Sequence, residues 1–376
     1  MFLEIVFWSA LGLILYAHLG YPLLLWLLSG LFGEPARSRR VHDGLPTVTL
    51  IIPAHDEAEV IQRRVENALA LDYPRDRLEL TVASDGSTDG TVELARKAGA
   101  DLVLDLPRGG KVAALNAATR QAQGMIFAFS DANAYWHPRA LRRLVDRFED
   151  EEVGYVCGQV RFSGGEGGNQ EGLYWRYEMA VRRSESRMAG ITGGNGAIYA
   201  VRPDAYIELE PDRGQDLSFP FELTKRGWRA VYEPEALAEE RMAPSVEGEF
   251  RRKRRMMWGL WDAMLRYGML NPRGYSLGYL MEIYSHRLLR YLTPFLHAIA
   301  LLANLALLGE GGIYSLTMGL QLCLLAAAAL GRFIPLWPLR VAYYYVTVTA
   351  SIAAGLWDRL RAGAVPIGWE KVEGTR

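Results

Sequence analysis

Hydrophobic positions are gathered at the two ends of the chain, and polar positions fill its middle. Residues 5–33 carry no charged side chain, which is long enough to cross a bilayer. Three further uncharged stretches follow near the C-terminus, at 291–309, 311–331 and 341–357. We therefore expect an N-terminal transmembrane anchor, C-terminal transmembrane helices and a water-soluble domain between them.

Within the middle part, short apolar runs alternate with helical patterns. The apolar runs predict strands at 47–53, 78–83, 102–104, 125–129, 197–200 and 230–232. The spacing of apolar residues and the capping residues predict helices at 57–71, 88–98, 111–121, 174–187 and 216–226. A basic amphipathic stretch follows at 246–269. Strands that alternate with helices indicate an α/β fold with a mostly parallel, Rossmann-like sheet and right-handed crossovers.

The distribution of positive charge predicts the orientation in the membrane. Arg37, Arg39 and Arg40 follow the first apolar stretch directly, so the positive-inside rule places the middle part in the cytoplasm. His286, Arg287 and Arg290 precede the next stretch and agree with this orientation. The predicted division is an anchor at 1–34, a cytoplasmic domain at 35–265, an interfacial amphipathic segment at 266–290, transmembrane helices at 291–360 and a polar tail at 361–376.

The last apolar stretch, at 341–357, is shorter than the others, and Pro335 and Pro338 precede it. It either spans the membrane or is re-entrant or interfacial. We favour three C-terminal helices and leave the side of the tail open.

Charge and cysteine content exclude some classes of function. The net charge is -1, whereas a protein that binds a nucleic-acid backbone usually has a strongly basic face. We therefore expect no nucleic-acid partner. The two cysteines, Cys157 and Cys323, lie far apart in different segments and are interpreted as apolar thiols rather than as a disulfide or metal ligands.

Polar residues follow the ends of three predicted strands. Residues 53–56 follow the first strand, Asp85 follows the second and Asp131 follows the fourth. In open α/β sheets, ligands bind beyond the carboxyl ends of the strands, so these residues should converge on one crevice. Taken singly, the turn around Asp85 is also explained as a turn and helix cap, with Thr88 or Asp89 as the capping residue.

The order and spacing of these motifs resemble glycosyltransferase family 2, the inverting enzymes with a GT-A fold, over about residues 45–265. The matching segments are 51–57, 84–90, 110–116, 131–133, 193–200, Asp216 and 252–259. The membrane flanks resemble the branch that contains polysaccharide synthases and exopolysaccharide glycosyltransferases.

This resemblance implies a role for each matching residue. The nucleotide-sugar site would comprise Pro53, Ala54, His55, Glu57, Asp85, Lys111, Asp131, Arg252 and Arg255. The acceptor side would comprise Gly193, Gly194, Asn195 and Trp258. Asp131 and Asn133 would hold Mg²⁺ or Mn²⁺ together with the sugar diphosphate, and Asp216 would be the general base.

Several matches depart from the family pattern. The usual Asp-x-Asp reads Asp131-Ala132-Asn133, and the acidic residue that usually precedes the base is Gln215. The arginine run 251–255 only partly matches the synthases' Gln-x-x-Arg-Trp, and it is alternatively a solvated or lipid-facing surface. Lys111 binds diphosphate, positions Asp85 or is a solvated helix lysine.

The sequence thus predicts a multi-pass enzyme of the inner (plasma) membrane with a cytoplasmic catalytic domain. It would move a sugar from a nucleotide sugar, with UDP favoured, to a lipid-linked or growing glycan acceptor. A processive polysaccharide synthase with coupled export is the alternative. A sugar-phosphate nucleotidyltransferase is more remote, because residues 53–57 contain no glycine-rich phosphate loop. A catalytically dead membrane scaffold is disfavoured because all three aspartates are present.

Overall fold

The computed structural model describes residues 1–34, 44–163, 170–241 and 246–362. The strands are β1 (Val48–Ala54), β2 (Leu78–Asp85), β3 (Leu102–Leu106), β4 (Ile126–Ser130), β5 (Tyr135–Trp136), β6 (Val153–Ser163), β7 (Ile198–Val201) and β8 (Arg229–Arg241). The helices of the middle part are α2 (Ile61–Leu69), α3 (Thr91–Lys97), α4 (Lys111–Thr119), α5 (Ala140–Val145), α6 (Gln170–Arg187), α7 (Gln215–Lys225) and α8 (Val246–Leu265). The flanking helices are α1 (Phe2–Leu31), α9 (Leu277–Ala306), α10 (Gly312–Gly331) and α11 (Trp337–Ala362).

The eight strands form one mixed sheet in the order β3-β2-β1-β4-β7-β6-β8-β5. The pairs β1–β2, β2–β3, β1–β4 and β6–β8 are parallel, whereas β4–β7, β6–β7 and β5–β8 are antiparallel. The sheet is therefore mostly parallel, as the alternating pattern predicts, with an antiparallel insertion in its second half.

Alternate residues of β1 pack on opposite faces of the sheet. Leu50 and Ile52 join a core with Ile61 of α2 and Leu141 of α5. Ile51 joins a second core that includes Leu115 of α4. Since successive side chains of a strand point to opposite faces, a continuous apolar run is what a sheet covered on both sides requires.

Two predicted helix starts were wrong. The helix predicted from Glu57 begins at Ile61, because the Glu57 backbone N–H donates to Thr91 Oγ1 at 2.8 Å and is held out of the helix. Thr88 does not cap the next helix, which begins at Thr91 after Gly90. The N–H of Thr88 instead donates to Asp56 Oδ1 at 2.7 Å.

The late strand predicted at 230–232 is the beginning of a much longer strand, β8, which runs from Arg229 to Arg241. Its second half, from about Leu237, pairs with β6 after a register irregularity between Cys157 and Gln159. The alternation of polar and apolar residues along Glu233–Arg241 fits an exposed sheet margin, which the apolar pattern alone did not reveal.

Three helices are long and apolar enough to cross a membrane by length and composition: α1, α9 and α10. Helix α9 starts at Leu277, 14 positions before the predicted 291, because its charged residues are buried with partners. Arg290 pairs with Glu178, and His286 Nδ1 lies 2.6 Å from Glu185 Oε1. In the described chain, α11 does not meet the same criterion of length and composition.

The flanking helices pack on the middle part rather than standing apart from it. Leu260 and Trp261 of α8 share a buried cluster with Tyr291 of α9 and Ile352 of α11. The Trp261 indole N–H donates to the Ile352 carbonyl at 3.0 Å. This packing brings α9 and α11 beneath the edge of the sheet where the candidate site lies.

Candidate active site

Three parallel strands end at the same edge of the sheet. β1 ends at Ala54, β2 ends at Asp85, and β4 ends one residue before Asp131. His55 Nδ1 lies 2.7 Å from the Asp85 carbonyl oxygen and ties the first two strand ends together. The crevice predicted from strand order is therefore present, with Pro53 and Ala54 buried in its wall.

The Asp85 carboxylate is buried and organises the loop that precedes α4. Its Oδ1 accepts the N–H groups of Gly109 at 2.6 Å and Gly110 at 3.0 Å, and Arg108 Nη1 donates to Oδ2 at 2.9 Å. The side chain is only 1 % exposed. The Asp85 carboxylate is thus bonded to Arg108 and to the backbone of Gly109 and Gly110, and it fixes the shape of this glycine loop at the crevice.

Lys111 begins α4 and forms an ion pair with Asp131. Asp85 is held by Arg108 and by the backbone of Gly109 and Gly110. The chain passes close by at Gly196, where a Cβ atom would lie 3.0 Å from Lys111 Nζ and 3.8 Å from Asp131 Oδ2. Glycine at this position therefore leaves room for the Lys111–Asp131 ion pair.

Asp216 lies in the first turn of α7. Its carboxylate accepts the Leu217 N–H at 3.1 Å, and its carbonyl accepts the Gly194 N–H at 2.7 Å. Burial raises the pKa of Asp216, the positive charge of Lys111 lowers it, and the negative charge of Asp131 raises it. A carboxyl group whose pKa is raised is a better proton acceptor once ionised, which is what a general base needs.

A cavity of about 510 Å³ adjoins these groups. Its lining includes Asp131, Asp216, Gly193, Gly194 and Asn195, so the predicted base and acceptor-side loop meet in one space. Asn195 also holds the chain before β7 in place, because its Oδ1 accepts the N–H groups of Ala197 and Ile198 at 3.1 and 2.9 Å.

Other predicted site residues lie elsewhere. Trp258 is buried in α8 and is not among the described residues that line the cavity, although its neighbours Met257 and Gly259 are. Glu57 is buried behind the crevice and is 3 % exposed. Arg252 and Arg255 belong to α8, but their side chains lie outside the described residues.

Several arginines of the site, among them Arg108, Arg182 and Arg287, were not predicted as site residues from the sequence. Arg108 holds Asp85, and its position directly before Gly109 and Gly110 was the available signal. Arg182 of α6 and Arg287 of α9 line the cavity. Arg287 was interpreted only as a marker of membrane orientation, and nothing local in the sequence places it beside Gly193.

The residues present fit a divalent cation that binds together with a diphosphate. Among the described side chains, no cluster of three or more His, Cys, Asp or Glu residues could hold a metal alone. Asp131, with Asn133 two residues on, offers one carboxylate and one amide oxygen. Magnesium commonly takes one or two carboxylates and completes its shell with phosphates and water.

The family comparison agrees with this geometry. The sequence model of Glycosyl transferase family 2 matches residues 49–206, which run from β1 past β7. Glycosyltransferase AglE of Haloferax volcanii is 33% identical over 149 residues, 38% of this chain and 49% of its own length. The poly-beta-1,6-N-acetyl-D-glucosamine synthase of Staphylococcus aureus is 25% identical over 241 residues, 60% of this chain and 57% of its own length.

A solved structure resembles nearly the whole chain. The mannosyltransferase PcManGT from Pyrobaculum calidifontis, in complex with GDP-Man and Mn²⁺, superposes with a TM-score of 0.73 and 25% sequence identity. The match covers 96% of this chain and 99% of that one. The curated relatives, in contrast, are spanned over only about half of their length.

The fold is thus the GT-A fold of glycosyltransferases, with carboxylates at the ends of its parallel strands. Residues 49–206 match the sequence model of glycosyl transferase family 2. The chain joins this domain to three helices that are long and apolar enough for a membrane.

Proposed function

We propose that this protein is a membrane-bound, metal-dependent inverting glycosyltransferase that moves a sugar from a nucleotide sugar to a lipid-linked or glycan acceptor. The observation that carries this proposal is the shared cavity. Asp131, the candidate metal ligand, and Asp216, the candidate base, line one space that continues between the membrane-side helices α9 and α11.

The donor side is assigned to the strand ends. Asp131 and Asn133 would hold the Mg²⁺ or Mn²⁺ bound to the donor diphosphate, and this cation would neutralise charge on the leaving group. When the donor binds, the Lys111 ammonium group would leave its ion pair with Asp131 and pair with a phosphate oxygen instead. Asp85 acts through the loop that it shapes, and His55, Pro53 and Ala54 form the wall nearest to it. Arg252 and Arg255 remain our candidates for further phosphate contacts.

The acceptor side is assigned to Gly193, Gly194 and Asn195, with Trp258 supporting the wall from behind. The acceptor hydroxyl would attack the anomeric carbon in line with the bond to the diphosphate. A carbon–oxygen bond forms to the acceptor, the bond to phosphate breaks, and the nucleoside diphosphate leaves. Asp216 takes the hydroxyl proton, and attack from the opposite face inverts the anomeric centre.

We also propose that the catalytic domain faces the cytoplasm of a plasma membrane. This rests on Arg37, Arg39 and Arg40 beside the first apolar helix and on the positive-inside rule. A topology reporter inserted after Arg40 should report a cytoplasmic position, and an external readout would contradict this orientation.

The test is transfer of labelled sugar into membrane lipid and glycan from a panel of UDP- and GDP-linked sugars. The sequence favours a UDP sugar, while the solved relative is complexed with GDP-Man, so both belong in the panel. Product length distinguishes a single addition from processive synthesis. We expect transfer from one donor that excess EDTA abolishes and Mn²⁺ or Mg²⁺ restores.

Asp131→Asn should remove this metal-dependent transfer, whereas Asp204→Asn, the same change at an exposed residue outside the cavity, should not. Full activity in EDTA would exclude the metal. Absence of transfer from every donor in membranes that contain folded protein would overturn the function.

A further inference from the structure

The cavity beside Asp216 continues away from the strand ends toward the helices that are apolar enough to meet a membrane. Asp131 and Asp216 line one part of it. Tyr291 of α9 and Val348 and Ile352 of α11 line another part. A ligand that fills this space would therefore have a polar end near the carboxylates and an apolar end between helices.

Two arginines, Arg182 and Arg287, line the same cavity, and both touch the loop of residues 192–196. Arg182 Nη2 donates to the Gly194 carbonyl at 3.2 Å. Arg287 Nε donates to Thr192 Oγ1 at 2.9 Å, and a Cβ atom at Gly193 would collide with Arg287 Nη2. Gly193 thus leaves the room that the Arg287 guanidinium group occupies at the cavity wall.

Neither arginine has a carboxylate in direct contact among the described residues, although Glu185 and Glu178 lie close enough to Arg287 to interact with its charge. Within the described part of the chain, no Asp or Glu oxygen lies within ion-pair distance (4.0 Å) of Arg182 or Arg287, whereas Arg290 of the same cavity pairs with Glu178. Arg287 is only 9 % exposed. Its nearest acidic neighbour, Glu185, is reached through the Thr192 hydroxyl, which donates to Glu185 Oε1 at 3.1 Å.

A buried guanidinium group without an adjacent counter-ion is costly, because its desolvation is not repaid by a charge partner. Arginine's planar fork matches the oxygens of a phosphate group, and such charge-assisted bonds are stronger than neutral ones. An anion that enters with the substrate would give both guanidinium groups a partner in direct contact.

We propose that Arg182 and Arg287 form a phosphate subsite for an amphiphilic acceptor. This acceptor is a lipid-linked sugar: the sugar carries the attacking hydroxyl, and a phosphate or diphosphate joins it to a lipid chain that lies between α9 and α11. This inference rests on the proposed function and names the class of acceptor for that site. The subsite is separate from the donor's: Gly196, at the far end of the same loop, faces Lys111 and Asp131. Three residues of chain span at most about 10 Å, so both subsites border one reaction space.

The direct test is ligand binding to the purified full-length protein in an uncharged detergent. Monododecyl phosphate is titrated and its Kd is measured by tryptophan fluorescence, with dodecyl maltoside as the uncharged amphiphile. UDP and GDP with Mn²⁺ are titrated in parallel, because the donor is the other possible source of phosphate. We expect saturable binding of monododecyl phosphate that the uncharged amphiphile does not reproduce.

Arg182→Gln and Arg287→Gln should each weaken monododecyl phosphate binding by about tenfold or more, since each removes charge-assisted bonds. Arg287→Lys should recover part of it. Arg176→Gln is the matched control, because Arg176 is an exposed arginine of the same helix as Arg182 and does not line the cavity. Arg182 is only partly buried, so its variant tests the subsite even if Arg287→Gln does not fold.

Three outcomes would overturn the subsite. The first is equal binding of charged and uncharged amphiphiles, and the second is unchanged affinity for monododecyl phosphate in Arg182→Gln. The third is weakened nucleotide binding in the arginine variants while monododecyl phosphate binding is unaffected, which would assign the arginines to the donor. Binding without any sugar transfer would preserve the subsite and count against the proposed function, so the two failures are distinguishable.

Discussion

Asp216→Asn is the substitution that isolates proton transfer from every other property of the site. The amide retains an oxygen for the Leu217 N–H, which donates to Asp216 Oδ1 at 3.1 Å. The backbone bond from Gly194 to the Asp216 carbonyl does not involve the side chain. The variant should therefore keep the shape of the acceptor loop and lose only the capacity to accept a proton.

The expected loss follows from general base catalysis, which is typically worth roughly 10²–10⁴-fold in rate. This corresponds to about 2.7–5.5 kcal/mol of transition-state stabilisation. Donor affinity should persist, because Asp131 and the loop held by Asp85 are untouched. The measurement is steady-state transfer at saturating donor and acceptor, with equilibrium binding of the nucleoside diphosphate measured alongside.

The pH dependence supplies an independent check. Burial raises the pKa of Asp216 above its ordinary value of 3.8. The kcat/KM of the unmodified protein should therefore fall on acidification at a higher pH than an exposed aspartate would give, and Asp216→Asn should lack this limb.

The same shift affects stability. A carboxyl group with a raised folded-state pKa stabilises the fold below its unfolded pKa, and that contribution is lost as pH rises through the folded value. The asparagine variant should thus melt at the same or a higher temperature than the unmodified protein at pH 7, and this advantage should disappear below about pH 4.

The control is Asp204→Asn, which makes the same chemical change at an exposed aspartate that does not line the cavity. It should leave kcat, its pH profile and the melting temperature unchanged. A kcat of Asp216→Asn within a few-fold of the unmodified protein, or a defect confined to donor binding, would refute the assignment of Asp216 as the base.

Two further substitutions test the electrostatic arrangement of the donor side. Lys111→Met removes the positive charge that lowers the pKa of Asp216, so the acidic limb of kcat/KM should move to higher pH. The control, Lys97→Met on the exposed face of α3, should leave the pH profile unchanged. An acidic limb that does not move in Lys111→Met would show that Lys111 does not act on Asp216. Asp85→Asn replaces an oxygen that accepts hydrogen bonds from the loop 108–110 with an amide group that donates them. A hydrogen bond to a charged group is worth about 1.5–3 kcal/mol. The KM for the nucleotide sugar should therefore rise by about tenfold or more, with a smaller change in kcat. Donor titration measures this, and an unchanged KM would exclude the loop from donor binding.

Local pattern was sufficient for much of the fold. The apolar runs that became β1, β2 and β4 were recognisable because strands covered on both faces need hydrophobic residues at every position. The convergence of Asp85 and Asp131 followed from the rule that parallel strands end at one edge. The uncharged ends of the chain likewise predicted helices α1, α9 and α10, since crossing a bilayer demands length and apolarity that one sequence displays directly.

Other features depended on partners distant in sequence. Helix α2 starts late because Glu57 bonds to Thr91, and α9 extends to Leu277 because its charged residues meet Glu178 and Glu185 of α6. Neither partner can be identified from neighbouring residues. The cost of burying a charge is removed only by a group that the folded chain brings to it.

The same division holds for the candidate site. The sequence alone determined the residue types, namely the aspartates at strand ends and the glycine-rich loop, because chemistry and backbone geometry restrict which residues suit those places. Only the tertiary structure decided what each one faces: Lys111 pairs with Asp131, and Arg287, from a helix apolar enough to cross a membrane, stands beside Gly193. Such pairings depend on distances between elements far apart along the chain, and a linear pattern of hydrophobic and polar positions does not encode those distances.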